Sequence, residues 1–284
     1  MSRRKNLVTA EWLIENGEQI ELKICDATYF LVTHNRDAKA EYLAEHIAGA
    51  IRFDIDAIKD PDSDLPHMLP SAQQFEANMQ ELGISNNDLV IVYDDSPFLS
   101  SARAWWLLRI FGHEKVFVLD GGLKRFKAVG GKMEQGKGQS FPKSTFKASN
   151  PIQTNVALFN DLLEQVQSGG PAQIIDARSY ARFIGDEAEP RAGLRSGHIP
   201  GSCNLPISSL LNSDTGEIVS DEKIRDIVTK AGIKLDKPII TTCGSGVTAT
   251  GLALALNLIG ITDIKIYDGS WAEWGASSAP IATK

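Results

Sequence analysis

Four blocks of this chain occur twice, in the same order and at nearly constant spacing. Ile24-Cys25-Asp26-Ala27 is echoed by Ile174-Ile175-Asp176-Ala177, and His46-Ile47-Ala48-Gly49-Ala50 by His198-Ile199-Pro200-Gly201-Ser202. Leu89-Val90-Ile91-Val92-Tyr93-Asp94 matches Pro238-Ile239-Ile240-Thr241-Thr242-Cys243, and Val116-Phe117-Val118-Leu119-Asp120-Gly121-Gly122 matches Ile264-Lys265-Ile266-Tyr267-Asp268-Gly269-Ser270. The offsets lie between 148 and 152 residues, so the differences are loop-sized. Register held over four blocks marks a duplicated domain. Each copy must therefore build its own core within half of the 284 residues. Short apolar strands alternate with helical patterns in both, which argues for an α/β fold with a mainly parallel sheet flanked by helices. In the second copy, strands are expected near 173–176, 202–205, 238–242 and 264–267, with helices at 154–168, 220–231 and 247–259. From about Gly130 to Pro151 the chain is rich in Gly, Lys, Ser and Gln and lacks apolar periodicity. The expected division is a domain at 1–135, a linker at 136–153 and a second domain at 154–284.

The copies differ in chemistry, because Asp94 stands where the second copy has Cys243. A β-branched run, Ile239 to Thr242, ends at Cys243-Gly244-Ser245-Gly246, and an apolar run from Leu252 to Ile259 reads as a buried helix. A strand, a tight loop and a helix N-terminus thus set a thiol at the mouth of the loop. Glycines at 244 and 246 permit φ > 0, so successive N–H groups can converge on one point. The helix start adds partial positive charge there. Such a nest favours a thiolate and could hold the more anionic outer sulfur of a persulfide. A carboxylate can rest in that nest but cannot carry sulfur. The first copy is therefore expected to be catalytically silent and to supply one wall of the site. Cys25, inside a strand-like run, and Cys203, after a turn, lack this context and read as structural.

Composition narrows the partners. Three cysteines without close spacing exclude a disulfide framework and a thiolate zinc site. No histidine pair has metal-ligand spacing, and no metal or organic cofactor is expected. A formal net charge of −7 disfavours a nucleic-acid surface. The basic start Met1-Ser2-Arg3-Arg4-Lys5 precedes no apolar signal core, and no run reaches membrane-span length. A reducing, cytoplasmic setting is expected, with neither nucleic acid nor membrane as partner. An anionic substrate would then need a local cationic pocket. His46 and His198 occupy equivalent positions and read as structural. Trp105-Trp106 reads as core, whereas Trp271 and Trp274 either wall the site or pack the C-terminus.

Taken together, Cys243-Gly244-Ser245-Gly246-Val247-Thr248, Asp176-Ala177-Arg178, Arg182-Phe183, Glu189-Pro190-Arg191, Gly197-His198-Ile199-Pro200-Gly201 and Tyr267-Asp268-Gly269-Ser270-Trp271 make the chain similar to two-domain rhodanese-type sulfurtransferases over nearly its whole length. The loop resembles the form found in 3-mercaptopyruvate sulfurtransferases; thiosulfate-specific members carry basic residues directly after the cysteine, where this chain has Gly244 and Ser245. The resemblance implies tandem rhodanese-like domains, with the active loop in the C-terminal copy and the site between the copies. It implies that Cys243 takes sulfur from 3-mercaptopyruvate as a persulfide, releases pyruvate, and passes the sulfur to a thiol acceptor such as thioredoxin, or to cyanide in an assay. By motif position, Arg182 and Arg191 would bind the donor carboxylate together with the loop residues Gly244, Gly246, Val247 and Thr248. A relay of Ser245, His67 and Asp56 would handle the proton. Read without the resemblance, the two arginines sit in a polar loop as solvated groups or ion-paired to Asp186, Glu187 or Glu189, Arg178 makes a structural ion pair, and Ser245 and His67 serve a helix cap and a turn.

Rival readings have discriminators of their own. A cysteine phosphatase needs an arginine six residues after the nucleophile, and that position is Ala249. Gly244-Ser245-Gly246 lacks the Gly-x-Ser-x-Gly spacing of a serine hydrolase elbow. Thiosulfate transfer is the nearest alternative, with weak use of that donor expected in any case. A non-catalytic persulfide carrier is the other.

Overall fold

The computed structural model describes residues 6–149 and 155–284. The basic start at 1–5 and positions 150–153 of the expected linker lie outside the described residues.

The first half contains strands β1 (Leu7–Val8), β2 (Leu22–Asp26), β3 (His46–Ile47), β4 (Ala50–Arg52), β5 (Leu89–Tyr93), β6 (Val116–Leu119) and β7 (Met133–Glu134). The second contains β8 (Val156–Ala157), β9 (Gln173–Asp176), β10 (Cys203–Asn204), β11 (Ile239–Thr242) and β12 (Ile264–Tyr267). One five-stranded sheet runs β1-β6-β5-β2-β4 and the other β8-β12-β11-β9-β10, with every pairing parallel. Strand for strand, these are the same topology. The central strands are buried on both faces, which explains their unbroken Val/Ile runs. β3 and β7 form a small antiparallel pair of their own.

The duplication extends to hydrogen bonds. The Ala27 amide donates to the Tyr93 carbonyl (2.8 Å) and the Ala177 amide to Thr242 (2.9 Å). Asp26 accepts the Thr28 amide as Asp176 accepts that of Arg178, both at 2.9 Å. His46 and His198 each set Nδ1 against a carbonyl, of Tyr42 (2.6 Å) and Phe183 (2.8 Å), and stack on that residue's ring. These are structural histidines in both copies.

The helix Val247–Leu258 is apolar all round and buried, as a helix covered by neighbours must be. Asp221–Lys230 is amphipathic and capped by the Ser220 hydroxyl. The helix expected from 154 begins instead at Phe159, because Val156 and Ala157 pair with Ile266 and Tyr267 as an edge strand. Trp105 and Trp106 are buried in the helix Ser101–Ile110. Trp271 and Trp274 are fully buried, with their indole N–H groups on the Arg195 and Pro280 carbonyls (2.9 Å each). They pack the C-terminal core. Cys25 is buried in β2, and burial pushes its thiol far above the ordinary range.

The compact units are not simply the two halves of the sequence. Among the described residues, the first unit comprises 6–61, 69–149 and 212–218, and the second 62–68, 155–211 and 219–284. Residues 212–218 join the first unit through polar groups that no hydropathy pattern reveals. Asp120 Oδ1 accepts the Ile218 amide (2.8 Å), and Lys124 Nζ donates to the Ser213 carbonyl (2.9 Å). Residues 136–149 are likewise strapped to that unit. Phe146 is fully buried edge-on to Phe75, and the Ser144 and Ser149 amides donate to Gln80 and Phe111. One buried aromatic and a series of backbone bonds anchor a stretch whose composition reads as a linker. Among the described residues no helix is long and apolar enough to cross a membrane.

Candidate active site

β11 ends at Thr242, and the chain turns through Cys243, Gly244 and Ser245 into the helix that starts at Val247. Two carbonyls of this turn are taken up at once. The Trp271 amide donates to Cys243 O and the Ala272 amide to Gly244 O, both at 2.9 Å. No peptide here is cis, and a trans peptide sets its N–H opposite its C=O. The amides of Gly244 and Ser245 therefore point away from residues 271–272. Gly246 then takes φ +78° as the helix N-cap, so the unpaired first-turn amides of Val247 and Thr248 follow on. The loop is an anion nest with Cys243 at its base.

The two glycines serve different ends. Only Gly246 occupies the left-handed region; Gly244 does not, contrary to the sequence expectation. Gly244 leaves space instead: a Cβ there would lie 3.0 Å from Arg182 Nη2, and the guanidinium would have to draw back by a few tenths of an ångström.

Three side chains converge on Gly244 and Ser245. Arg182 lies on a short helix, Tyr180–Ile184, rather than in the expected polar loop, and the Ser179 hydroxyl caps that helix. Its side chain is only 10% exposed. Arg191 Nη2 donates to Ser245 Oγ over 3.4 Å. His67 Nδ1 stands 3.0 Å from the same oxygen. His67 is buried and held at φ +59°, a left-handed conformation in which a non-glycine residue is uncommon. Such strain collects at functional positions. His67 comes from the N-terminal half of the sequence, yet its segment, 62–68, belongs to the second unit. Asp56 belongs to the first unit, where it is exposed and its amide donates to Asp54 Oδ1 (3.0 Å).

Two further groups matter here, and the sequence offered only one of them, Glu189, as an ion-pair partner of the arginines. Ser270 is fully buried at φ +51°; its Oγ accepts the Cys243 amide (3.3 Å) and donates to the Tyr267 carbonyl (2.8 Å). The equivalent residue of the first copy is Gly122, at φ +53°, where a Cβ would meet Asp94 O at 2.2 Å. The second copy thus tolerates a strained serine in exchange for a hydroxyl on the Cys243 amide. The sequence signal was the Gly-to-Ser change within a repeated block. The other group is Glu189, which grips both Arg178 and Arg182 (2.7 and 2.5 Å). Arg178 also takes Asp176 (2.7 Å) and lies over the Trp271 ring (4.3 Å). Burial works against its charge, but Asp176 and Glu189 outweigh that and hold it protonated beyond even the ordinary arginine range.

The first copy shows the same loop neutralised. Asp94 Oδ2 accepts the Ser100 amide (2.9 Å) and the Ser96 hydroxyl, and Oδ1 accepts the Ser101 hydroxyl (2.6 Å). Burial pushes this carboxyl upward while the serine bonds pull it back. The nest is filled by the protein's own side chain, which closes it to an outside anion. No cluster of three or more His, Cys, Asp or Glu able to hold a metal occurs among the described residues.

Paired parallel sheets of identical topology, with one strand–loop–helix cysteine nest and one carboxylate-filled counterpart, define a tandem rhodanese-like protein. The rhodanese-like domain model matches residues 9–129 and 159–277, and the chain belongs to that family. It is 42% identical to the 3-mercaptopyruvate sulfurtransferase of Escherichia coli strain K12, over 95% of this chain and 94% of that one. With the mitochondrial thiosulfate/3-mercaptopyruvate sulfurtransferase 1 of Arabidopsis thaliana it shares 40%, over 96% of this chain and 77% of the relative. The crystal structure of the Tum1 protein from Saccharomyces cerevisiae superposes with a TM-score of 0.90 at 33% identity, covering 98% of each chain.

Proposed function

We propose that this chain is a sulfurtransferase that takes sulfur from 3-mercaptopyruvate through a Cys243 persulfide. The observation that carries the reading is the approach of the Arg182 guanidinium to Gly244, the residue after Cys243, with the Ser245–His67 pair on the next position. The chemistry sets three tasks: to bind a carboxylate, to hold a thiolate and to protonate a carbanion. The Cys243 thiolate attacks the donor sulfur. A new S–S bond forms, the C–S bond breaks, and its electron pair leaves on carbon as pyruvate enolate. A proton delivered to that carbon gives pyruvate. Arginine suits the first task, since its planar fork stays charged and binds carboxylates directionally. The amides of Gly244, Ser245, Val247 and Thr248 stabilise the sulfur anion. Ser245, hydrogen-bonded to His67, supplies the proton path to the enolate. A reduced dithiol such as thioredoxin, or cyanide, then removes the outer sulfur by attack on it. Three free thiols fit a reducing compartment such as the cytoplasm.

Steady-state rates with 3-mercaptopyruvate and with thiosulfate, using one acceptor, test the reading. Mercaptopyruvate should be preferred, because Gly244 to Ala249 carry no cation for a compact dianion. A thiosulfate preference would replace the assigned donor, and sulfur uptake without turnover would make the chain a carrier. Arg182→Ala should lower kcat/KM for mercaptopyruvate by about 1.5–3 kcal/mol, the worth of one charged hydrogen-bonding pair; normal donor kinetics would remove Arg182 from binding. Ser245→Ala and His67→Ala should each slow the single-turnover release of pyruvate by about 10²-fold while the melting temperature holds. Unchanged rates would make both residues structural.

A further inference from the structure

Below the loop, four buried charges alternate within the second unit. Asp176 meets Arg178, Arg178 meets Glu189, and Glu189 meets Arg182. The side chains of Asp176, Arg178 and Glu189 are each 1% exposed. Two acids and two arginines balance to zero, with Arg182 at the end that faces the loop. Glu189 holds it by one edge. Oε1 accepts Arg182 Nε (3.2 Å) along with Arg178 Nη1 (2.7 Å), and Oε2 accepts Arg182 Nη2 (2.5 Å). Arg182 Nη1 takes no part in these bonds and lies 3.9 Å from the point where a Gly244 Cβ would stand. The guanidinium is therefore presented to a donor with half its fork occupied and its charge already matched.

We propose that Glu189 is a specificity-determining residue: by holding and neutralising Arg182 it makes the Cys243 loop favour a singly charged carboxylate donor over a compact dianion. This rests on the sulfurtransferase reading above. The field of a buried charge acts on a donor in proportion to the donor's own charge. A negative charge fixed behind Arg182 therefore penalises thiosulfate about twice as much as mercaptopyruvate.

Glu189→Gln tests this. Glutamine offers one acceptor oxygen to three arginine N–H groups, so its NH₂ must face an arginine donor and at least one bond to Arg182 is lost along with the charge. The net charge beside Gly244 rises by one. The ratio of kcat/KM for thiosulfate to that for mercaptopyruvate should rise about tenfold or more over wild type. Inhibition should shift in parallel, with sulfate binding more tightly relative to pyruvate. The inhibitor series depends on neither donor being the natural one. It therefore still judges Glu189 if wild type proves inactive with mercaptopyruvate, a result that would sink the sulfurtransferase reading instead. An unchanged donor ratio in folded Glu189→Gln, or an unchanged inhibitor ratio, would overturn the proposal. Should that variant not fold, Glu189→Asp decides. It keeps the charge but draws the carboxylate back, so mercaptopyruvate kcat/KM should fall several-fold with the donor ratio within about twofold of wild type. A tenfold ratio change in Glu189→Asp would refute charge as the cause.

Discussion

Cys243→Ser is expected to abolish sulfur transfer from every donor, lowering turnover by about 10⁴-fold or more, as loss of a nucleophile does elsewhere. The loss is chemical rather than structural. The loop is held through the Cys243 amide on Ser270 and its carbonyl on Trp271, neither of which involves the sulfur. Serine fits the same small buried site, but a hydroxyl is not ionised at neutral pH and forms no persulfide. Wild type incubated with donor and no acceptor should gain the mass of one sulfur atom, and the variant should gain none while melting at a similar temperature. Residual transfer in the variant, or sulfur found on Cys25 or Cys203, would remove Cys243 from the chemistry. Cys25 is sealed in β2 and Cys203 sits on an edge strand with no amide nest, so neither can substitute.

Arg178→Ala should be the most destabilising single change near the site, at about 3–5 kcal/mol. Arg178 is the middle link of the buried charge chain and gives Asp176, Glu189 and the Gly197 carbonyl (2.8 Å) their partner. Its removal leaves Asp176 with no countercharge and Glu189 with Arg182 alone, in a place water does not reach. The cation–π contact with Trp271, worth about 0.5–2 kcal/mol, is lost with it. Because the Trp271 amide carries the Cys243 carbonyl, the damage should spread to the loop. Urea unfolding followed by tryptophan fluorescence would read the effect as a lowered midpoint. A midpoint equal to wild type would show that the chain of charges is dispensable. A replacement by Ala at Arg182, which ends the chain of charges and touches only Glu189 in this network, should cost less stability and much more donor affinity.

Much of the architecture was legible because it is encoded locally. Runs such as Ile239–Thr242 and Ile264–Tyr267 are β-branched and bounded by turn residues, and they become strands wherever they are buried. The all-apolar stretch at 247–258 admits only a buried helix. Block-for-block repetition then forces the two sheets to share one strand order. The contrast of Cys243 with Asp94 marked one copy as reactive, and the Asp94 carboxylate does fill its own nest with serine bonds. Less legible was the edge strand Val156–Ala157. Two residues carry no period, and only the exposed edge of β12 gives them an identity. The helix under Arg182 was also hidden, since five residues with arginine inside look like loop.

By itself, then, the sequence determined a duplicated α/β protein with one cysteine nest, because strand and helix periods, glycine punctuation and repetition are properties of neighbours along the chain. What surrounds that nest follows from the tertiary structure: His67 joins the unit opposite its own half, Gly244 leaves room for a guanidinium, Ser270 braces the cysteine from a left-handed turn, and Glu189 holds the arginine that lies against Gly244. These are contacts between residues far apart in the sequence, and their worth depends on burial and direction. A carboxylate written as Glu189 is a solvated surface charge or a buried ion-pair partner according to which arginines the fold turns toward it.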